Sequence, residues 1–198
     1  MDTLSSETWL IERAQARDTE AFDQIVHRYA DRLYNYVVRL LGNAQDAEDV
    51  VQEVFIRAYQ ALPNFDGRAS LSTWLYRIAT NLCIDHRRKQ SRRVPTVSIH
   101  RDETSEDDFG EWEFADQQTP NPLEHALSRE LQAVVEGAIA QLSPKLKTVL
   151  LLYDVEELSY EEIAQVLGIP MGTVKSRLNL ARSQVQKQVE AYLRGESK

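Results

Sequence analysis

The sequence predicts an all-α protein: two small helical modules joined by an acidic flexible linker, the second module a helix-turn-helix. Three observations carry this. Apolar residues recur at helical spacing over 19–41 and 46–62, and no alternating stretch reaches useful strand length. Residues 95–120 carry no helical stripe and are rich in Asp, Glu, Ser, Thr, Gln and Pro. Ala164, Gly168 and Val174 then stand at the spacing of two helices meeting at a tight turn.

The first module, residues 1–94, is expected to hold four helices. A short one runs from about Glu7 to Arg17. Thr19 to Leu41 places Phe22, Ile25, Val26, Tyr29, Leu33, Tyr36, Val37 and Leu40 on one stripe, and Gly42 ends it. Asp46 to Leu62 repeats the pattern through Ala47, Val50, Val51, Val54, Phe55, Ala58 and Leu62, and Pro63 stops it. The fourth helix starts after Ser70 and carries Trp74, Leu75, Ile78 and Leu82 into a basic cluster, Arg87 to Arg93. The linker contains Phe109, Trp112 and Phe114, which suit a segment that docks on a partner as well as a solvated spacer.

The second module, residues 121–198, shows three helix starts. Asn121-Pro122 offers an N-cap followed by Pro at the first helical position, with Glu124 as the capping acid. Ser143-Pro144 opens a helix carrying Leu146, Val149, Leu150 and Tyr153. Ser159 and Glu162 form a capping-box pair at the third.

Charge is unevenly placed. The chain of 198 residues has a formal net charge of −8, which by itself argues against nucleic acid. Yet residues 1–100 carry 13 basic and 13 acidic side chains, while residues 101–123 carry one basic and eight acidic. From Ile163 to Val189 there are four basic residues and no acidic one. Local sign governs phosphate binding more than the total does.

Several classes lose support. The longest apolar run, Val149 to Tyr153, is far short of the ~20 residues of a membrane span. The N-terminal residues lack a basic stretch followed by an apolar one, so no signal peptide is expected. The single cysteine, Cys83, excludes an internal disulfide, fits a reducing cytoplasmic compartment, and reads as a small buried hydrophobe. His27, His86, His100 and His125 are scattered, so no metal or other cofactor is expected. No glycine-rich phosphate loop, nucleophile elbow or paired carboxylate site points to an enzyme.

Ser159 to Val185 reads as the DNA-binding element. Ala164 is small where the helices approach, Gly168 permits the turn, Pro170 ends the first helix, and Val174 packs back. Val174, Leu178, Ala181 and Val185 form the buried stripe of the second helix, which leaves Lys175, Ser176, Asn179 and Arg182 facing outward. Lys reaches guanine O6/N7 or a phosphate, and Asn pairs with an adenine edge.

Three stretches together resemble the extracytoplasmic-function (group IV) sigma factors of the sigma-70 superfamily. They are Asp46 to Tyr59, Phe65 through Ser72 to Asn81, and Leu158 to Ala164 with Gly172 to Arg177. The resemblance implies a protein that directs core RNA polymerase to promoters, in a stress or envelope response. Its expected partners are the β and β′ subunits of the polymerase, promoter DNA and an anti-sigma factor, without insertion into the membrane.

The resemblance also assigns roles. The first stretch looks like the polymerase-docking helix, and Asp49, Gln52, Glu53 and Ile56 form an i, i+3, i+4, i+7 stripe opposite its apolar face. The second resembles the part that captures the melted minus-10 element, with Phe65 and Arg68 in a loop, Asn81 nearby and Arg87, Arg88 and Lys89 on backbone phosphates. An aromatic and polar loop beside cations suits single-stranded DNA. The third resembles the minus-35 reader, again through Lys175, Ser176 and Asn179. Many relatives carry a basic residue where this chain has Leu180, which puts that contact in question. The acidic linker resembles a segment that threads the polymerase interior. The alternative is a stand-alone helix-turn-helix regulator binding operator DNA as a dimer, in which the docking stripe and the loop would have no task. Away from the polymerase, the two modules are expected to move independently or to fold against each other.

Overall fold

The computed structural model describes residues 3–93 and 122–195, all helical or in turns. The expected linker and the Asn121 cap lie outside the described residues.

Helix α1 spans Thr3–Gln15 and α2 spans Thr19–Leu41. Asp18 caps α2, its carboxylate accepting from the amides of Glu20 and Ala21 at 3.0 and 3.2 Å. Gly42 closes α2 in the left-handed region (φ 76°), its amide donating to the Val38 carbonyl at 2.8 Å. Asn43 caps α3, Ala44–Ala61, and Pro63 sits in the 3-10 turn Leu62–Asn64 that ends it. Helix α4, Leu71–Arg93, starts at Ser70, whose hydroxyl accepts from the Thr73 amide at 3.1 Å.

The expected stripe of α2 is buried, with Val26 only half so. Phe22 meets Tyr59 edge to face at 5.0 Å, and Tyr36 meets Tyr76 at 5.2 Å. The Thr80 hydroxyl donates to the Tyr76 carbonyl, so the Tyr36 hydroxyl is the donor in its 2.7 Å bond to Thr80. Cys83 is buried as expected, and burial pushes its thiol up to about 12.

Helix α5 runs Pro122–Ala140 and α6 runs Pro144–Leu150. The predicted α-helical stripe through Tyr153 is broken here. Leu151–Val155 forms a π turn, marked by the Glu156 amide donating to the Leu151 carbonyl at 3.0 Å. Glu157 follows at φ 59°, a left-handed conformation unusual outside glycine. Helix α7, Tyr160–Leu167, begins with the expected capping box between Ser159 and Glu162. Gly168 turns the chain at φ 63°, and α8 spans Met171–Leu193. Lys147 of α6 is buried and donates from Nζ to the Ala140 carbonyl at 2.8 Å, closing α5. Burial lowers its pKa.

The two helical sets are folded against each other, with one continuous apolar core from Leu10 to Ala181. Glu156 enters the first set, where its carboxylate accepts from the Tyr76 hydroxyl and pairs with Arg32 at 3.3 Å. Arg39 reaches Glu136 of α5 at 2.9 Å. No described helix is long and apolar enough to cross a membrane.

Candidate polymerase and nucleic-acid interfaces

Helix α3 buries Ala47, Val50, Val54 and Ala58. That orientation exposes Asp49, Gln52 and Ile56 and leaves Glu53 half-buried, so the predicted stripe exists as one face. Glu53 pairs with Arg57 one turn on, at 2.7 Å. Ile56 is 51% exposed and, with Phe22, Phe55 and Tyr59, lines a shallow groove of about 340 Å³ rimmed by Asp23 and Gln60. The groove escaped the sequence reading, because Phe55 fell on the apolar stripe and was counted as core. Its half-burial shows it to be a wall of the groove.

The loop between α3 and α4 is braced on several sides. Phe65 is half-buried and lies 5.1 Å from the Trp74 ring. The Gln15 side chain of α1 donates to the carbonyls of Phe65 and Leu62 at 2.7 and 3.2 Å. Gly67 turns the loop at φ 70°, and Arg68 pairs with Asp66 at 3.0 Å while both remain exposed. Asn81, Arg87, Arg88 and Lys89 are exposed along α4. The loop and helix thus present an aromatic, an amide and several cations to solvent on one module.

Glu162 ties this loop to the second module. One carboxylate oxygen serves the α7 capping box, accepting from the Ser159 amide at 2.9 Å. The other accepts from the Thr73 hydroxyl at 2.9 Å and the Ser70 hydroxyl at 3.3 Å. Burial opposes ionisation of Glu162, but the hydrogen bonds from Ser159, Thr73 and Ser70 hold its pKa below the ordinary value.

Helix α8 buries Val174, Leu178 and Ala181 against its neighbours. The predicted quartet on its other side divides in two. Ser176 and Asn179 are exposed on the outward face, the Ser176 hydroxyl donating back to the Thr173 carbonyl at 3.1 Å. Lys175 and Arg182 are exposed but lean to the flank, over a stacked pair formed by Tyr153 and Tyr160 at 4.9 Å. Lys175 Nζ lies 5.4 Å from the Tyr160 ring and the Arg182 guanidinium 5.0 Å from Tyr153. Arg182 also donates from Nε to Asp154 at 3.1 Å, a bond that raises its pKa. Its neighbours in space were not legible in the sequence, since Asp154 lies in the π turn. Among the described residues no group of acids, cysteines and histidines could hold a metal ion.

Residues 25–93 match the sigma-70 region 2 family and residues 132–185 the sigma-70 region 4 family. The chain is 41% identical to the RNA polymerase sigma-H factor of Pseudomonas aeruginosa, over 98% of this chain and 99% of that one. It is 37% identical to the ECF RNA polymerase sigma factor SigW of Bacillus subtilis, over 90% of this chain and 94% of that one. Among solved structures, CnrH in complex with the cytosolic domain of CnrY superposes with a TM-score of 0.64 at 24% identity, covering 92% of this chain and 96% of that one. The sigma factor RpoE of Bartonella quintana, in complex with the anti-sigma factor NepR, gives 0.63 at 23%, covering 85% and 96%. These two establish the fold. The first module with its exposed α3 stripe and braced loop, the helix-turn-helix of α7 and α8, and relatedness along nearly the whole length are accounted for together, which a stand-alone operator-binding regulator does not do: the chain belongs to the extracytoplasmic-function sigma factors of the sigma-70 family.

Proposed function

We propose that the chain works in the cytoplasm as the promoter-selecting subunit of RNA polymerase, with its tasks divided between two modules. Residues 1–94 dock on the β and β′ subunits through Asp49, Gln52, Glu53, Ile56 and the groove beside Ile56. The same module holds the melted minus-10 strand with Phe65, Arg68 and Asn81, while Arg87, Arg88 and Lys89 neutralise phosphates. Residues 121–198 read the minus-35 duplex with Ser176 and Asn179 facing bases and Lys175 and Arg182 flanking them. The observation that carries this is the outward face of α8, which carries no acid from Met171 to Val189 and is set at a glycine turn.

Residues 95–120 form the tether in this reading. A flexible coil of 26 residues spans roughly 28 Å and a taut one at most about 85 Å, against about 34 Å for one turn of DNA. The modules therefore reach two promoter elements only with the tether extended and the packed arrangement opened, and docking of the acidic segment in the polymerase supplies that extension. An anti-sigma partner and an envelope or stress signal are proposed from the company its relatives keep.

The test is run-off transcription by purified core polymerase with and without the chain, on templates altered in one element at a time. Specific initiation should require the chain. Lys175→Ala and Asn179→Ala should each weaken use of the upstream element by ~1–3 kcal/mol and leave selection at the downstream element intact. Tight, specific binding of operator DNA by a free dimer, without polymerase, would refute the proposal.

A further inference from the structure

We infer that Leu180 is a base-reading residue, and that it selects a thymine by its methyl group at one position of the upstream element. The inference deepens the proposed function and rests on α8 entering the major groove.

Helical geometry sets the order of residues around α8. At about 100° per residue, Val174, Leu178 and Ala181 centre roughly 170° from Ser176, so Ser176 marks the outward pole. Asn179 lies about 60° to one side of it, Leu180 about 40° to the other, and Ser183 about 20° away. Lys175 and Arg182 lie about 100–120° round, on the flank where both lean on the tyrosine pair. Leu180 is thus nearer the pole than either cation and is 52% exposed.

A single exposed leucine is ordinary on a protein surface. This one stands among small and polar side chains, Ser176, Asn179 and Ser183, all exposed. It is one turn on from Ser176 and next to Asn179, so a duplex that meets those two also meets Leu180. The major groove displays hydrogen-bonding groups and one apolar group, the thymine 5-methyl. A leucine satisfies none of the polar edges and leaves them dry, whereas against a methyl both partners lose apolar surface to water. The position discriminates against cytosine, which has no methyl there, and against a purine edge, which would be desolvated without a partner.

The experiment uses holoenzyme assembled from core polymerase and the full chain, on a promoter fragment selected by that holoenzyme from a random duplex library. Each thymine of the upstream element, on either strand, is replaced singly by deoxyuridine, which removes only the methyl. With the native chain, one or two positions should show affinity reduced about three- to tenfold, the scale of one lost methyl contact. With Leu180→Ala, thymine and deoxyuridine should bind equally at those positions. Asn179→Ala should keep the discrimination while weakening binding. Leu180→Gln, of similar size, should behave as Leu180→Ala does, and circular dichroism should show both variants folded. The inference is overturned if no position responds to deoxyuridine, or if the response survives both Leu180 substitutions. A uniform loss of affinity in those variants, without change in methyl discrimination, also overturns it and makes Leu180 a protein contact. Failure of the holoenzyme to select any promoter would instead defeat the proposed function, and this inference with it.

Discussion

The hydroxyl of Tyr76 donates a hydrogen bond to the carboxylate of Glu156, joining α4 of the first module to the end of the π turn in the second. Only 4% of the Glu156 side chain is exposed, and Arg32 is its counter-charge. A buried carboxylate is costly unless it is paired and hydrogen-bonded, so these two partners support the packed arrangement of the modules along with their shared apolar core. The second tie, Glu162 to Thr73 and Ser70, holds the start of α4 against the helix-turn-helix.

Tyr76→Phe should loosen this contact. The ring and its packing on Tyr36 are kept, while the buried carboxylate loses a donor at a cost of ~1.5–3 kcal/mol. In the free chain the urea midpoint should fall and the radius of gyration from small-angle scattering should rise. If neither moves, the contact does not hold the modules together in solution.

The same carboxyl makes docking dependent on pH. Burial raises the Glu156 pKa, against the opposing pull of Tyr76, Arg32 and Arg39. The docked state therefore binds the proton more tightly than the separated one, where the carboxyl returns to its ordinary 4.5. Docking should strengthen as pH falls from the raised value toward 4.5, and weaken as pH rises back through that window. Glu162 has the opposite sign, its contribution being lost only as pH falls below 4.5. Intermodule energy transfer followed against pH should show the first slope in the native chain and lose it in Glu156→Gln. An equal slope in both would assign it to another group.

Ile56→Glu should weaken binding to core polymerase at least tenfold, since burying an isoleucine against a partner is worth ~1.5–3 kcal/mol. Its exposure in the free chain means stability should change by no more than about 0.5 kcal/mol. Unchanged affinity in a titration with labelled core polymerase would remove the groove from the docking surface.

Asn81→Ala should impair formation of the open complex more than closed-complex binding, because its exposed amide is assigned to the melted strand. A pre-melted bubble template should not rescue it, as the captured base would still lack its partner. Phe65→Ala should share the defect and also lower stability, because Phe65 packs on Trp74. Permanganate reactivity of the melted thymines reads the effect, and normal reactivity in both variants would dissolve the assignment.

What the sequence by itself determined is the local order of the chain. The stripes of α2 and α3, the stops at Gly42 and Pro63, the capping box at Ser159 and Glu162 and the turn at Gly168 depend on neighbours three or four residues away, so they are legible from spacing. The exposed stripe from Asp49 to Ile56 followed for the same reason, as the complement of a buried one. Tertiary structure decided what depends on residues far apart in the chain. The π turn at Leu151–Val155 and the left-handed Glu157 deliver Glu156 into the first module, and no 3.6-residue period announces either. The groove beside Ile56 required Phe22 and Tyr59 to come together with Phe55. Lys175 and Arg182 already fall on the flank of α8 by helical spacing, but the Tyr153, Asp154 and Tyr160 that occupy them there come from elsewhere in the chain. Spacing along the helix makes Ser176, Asn179 and Leu180 its outermost face, whereas which cations are tied up by aromatic and acidic neighbours depends on residues that only folding brings beside them.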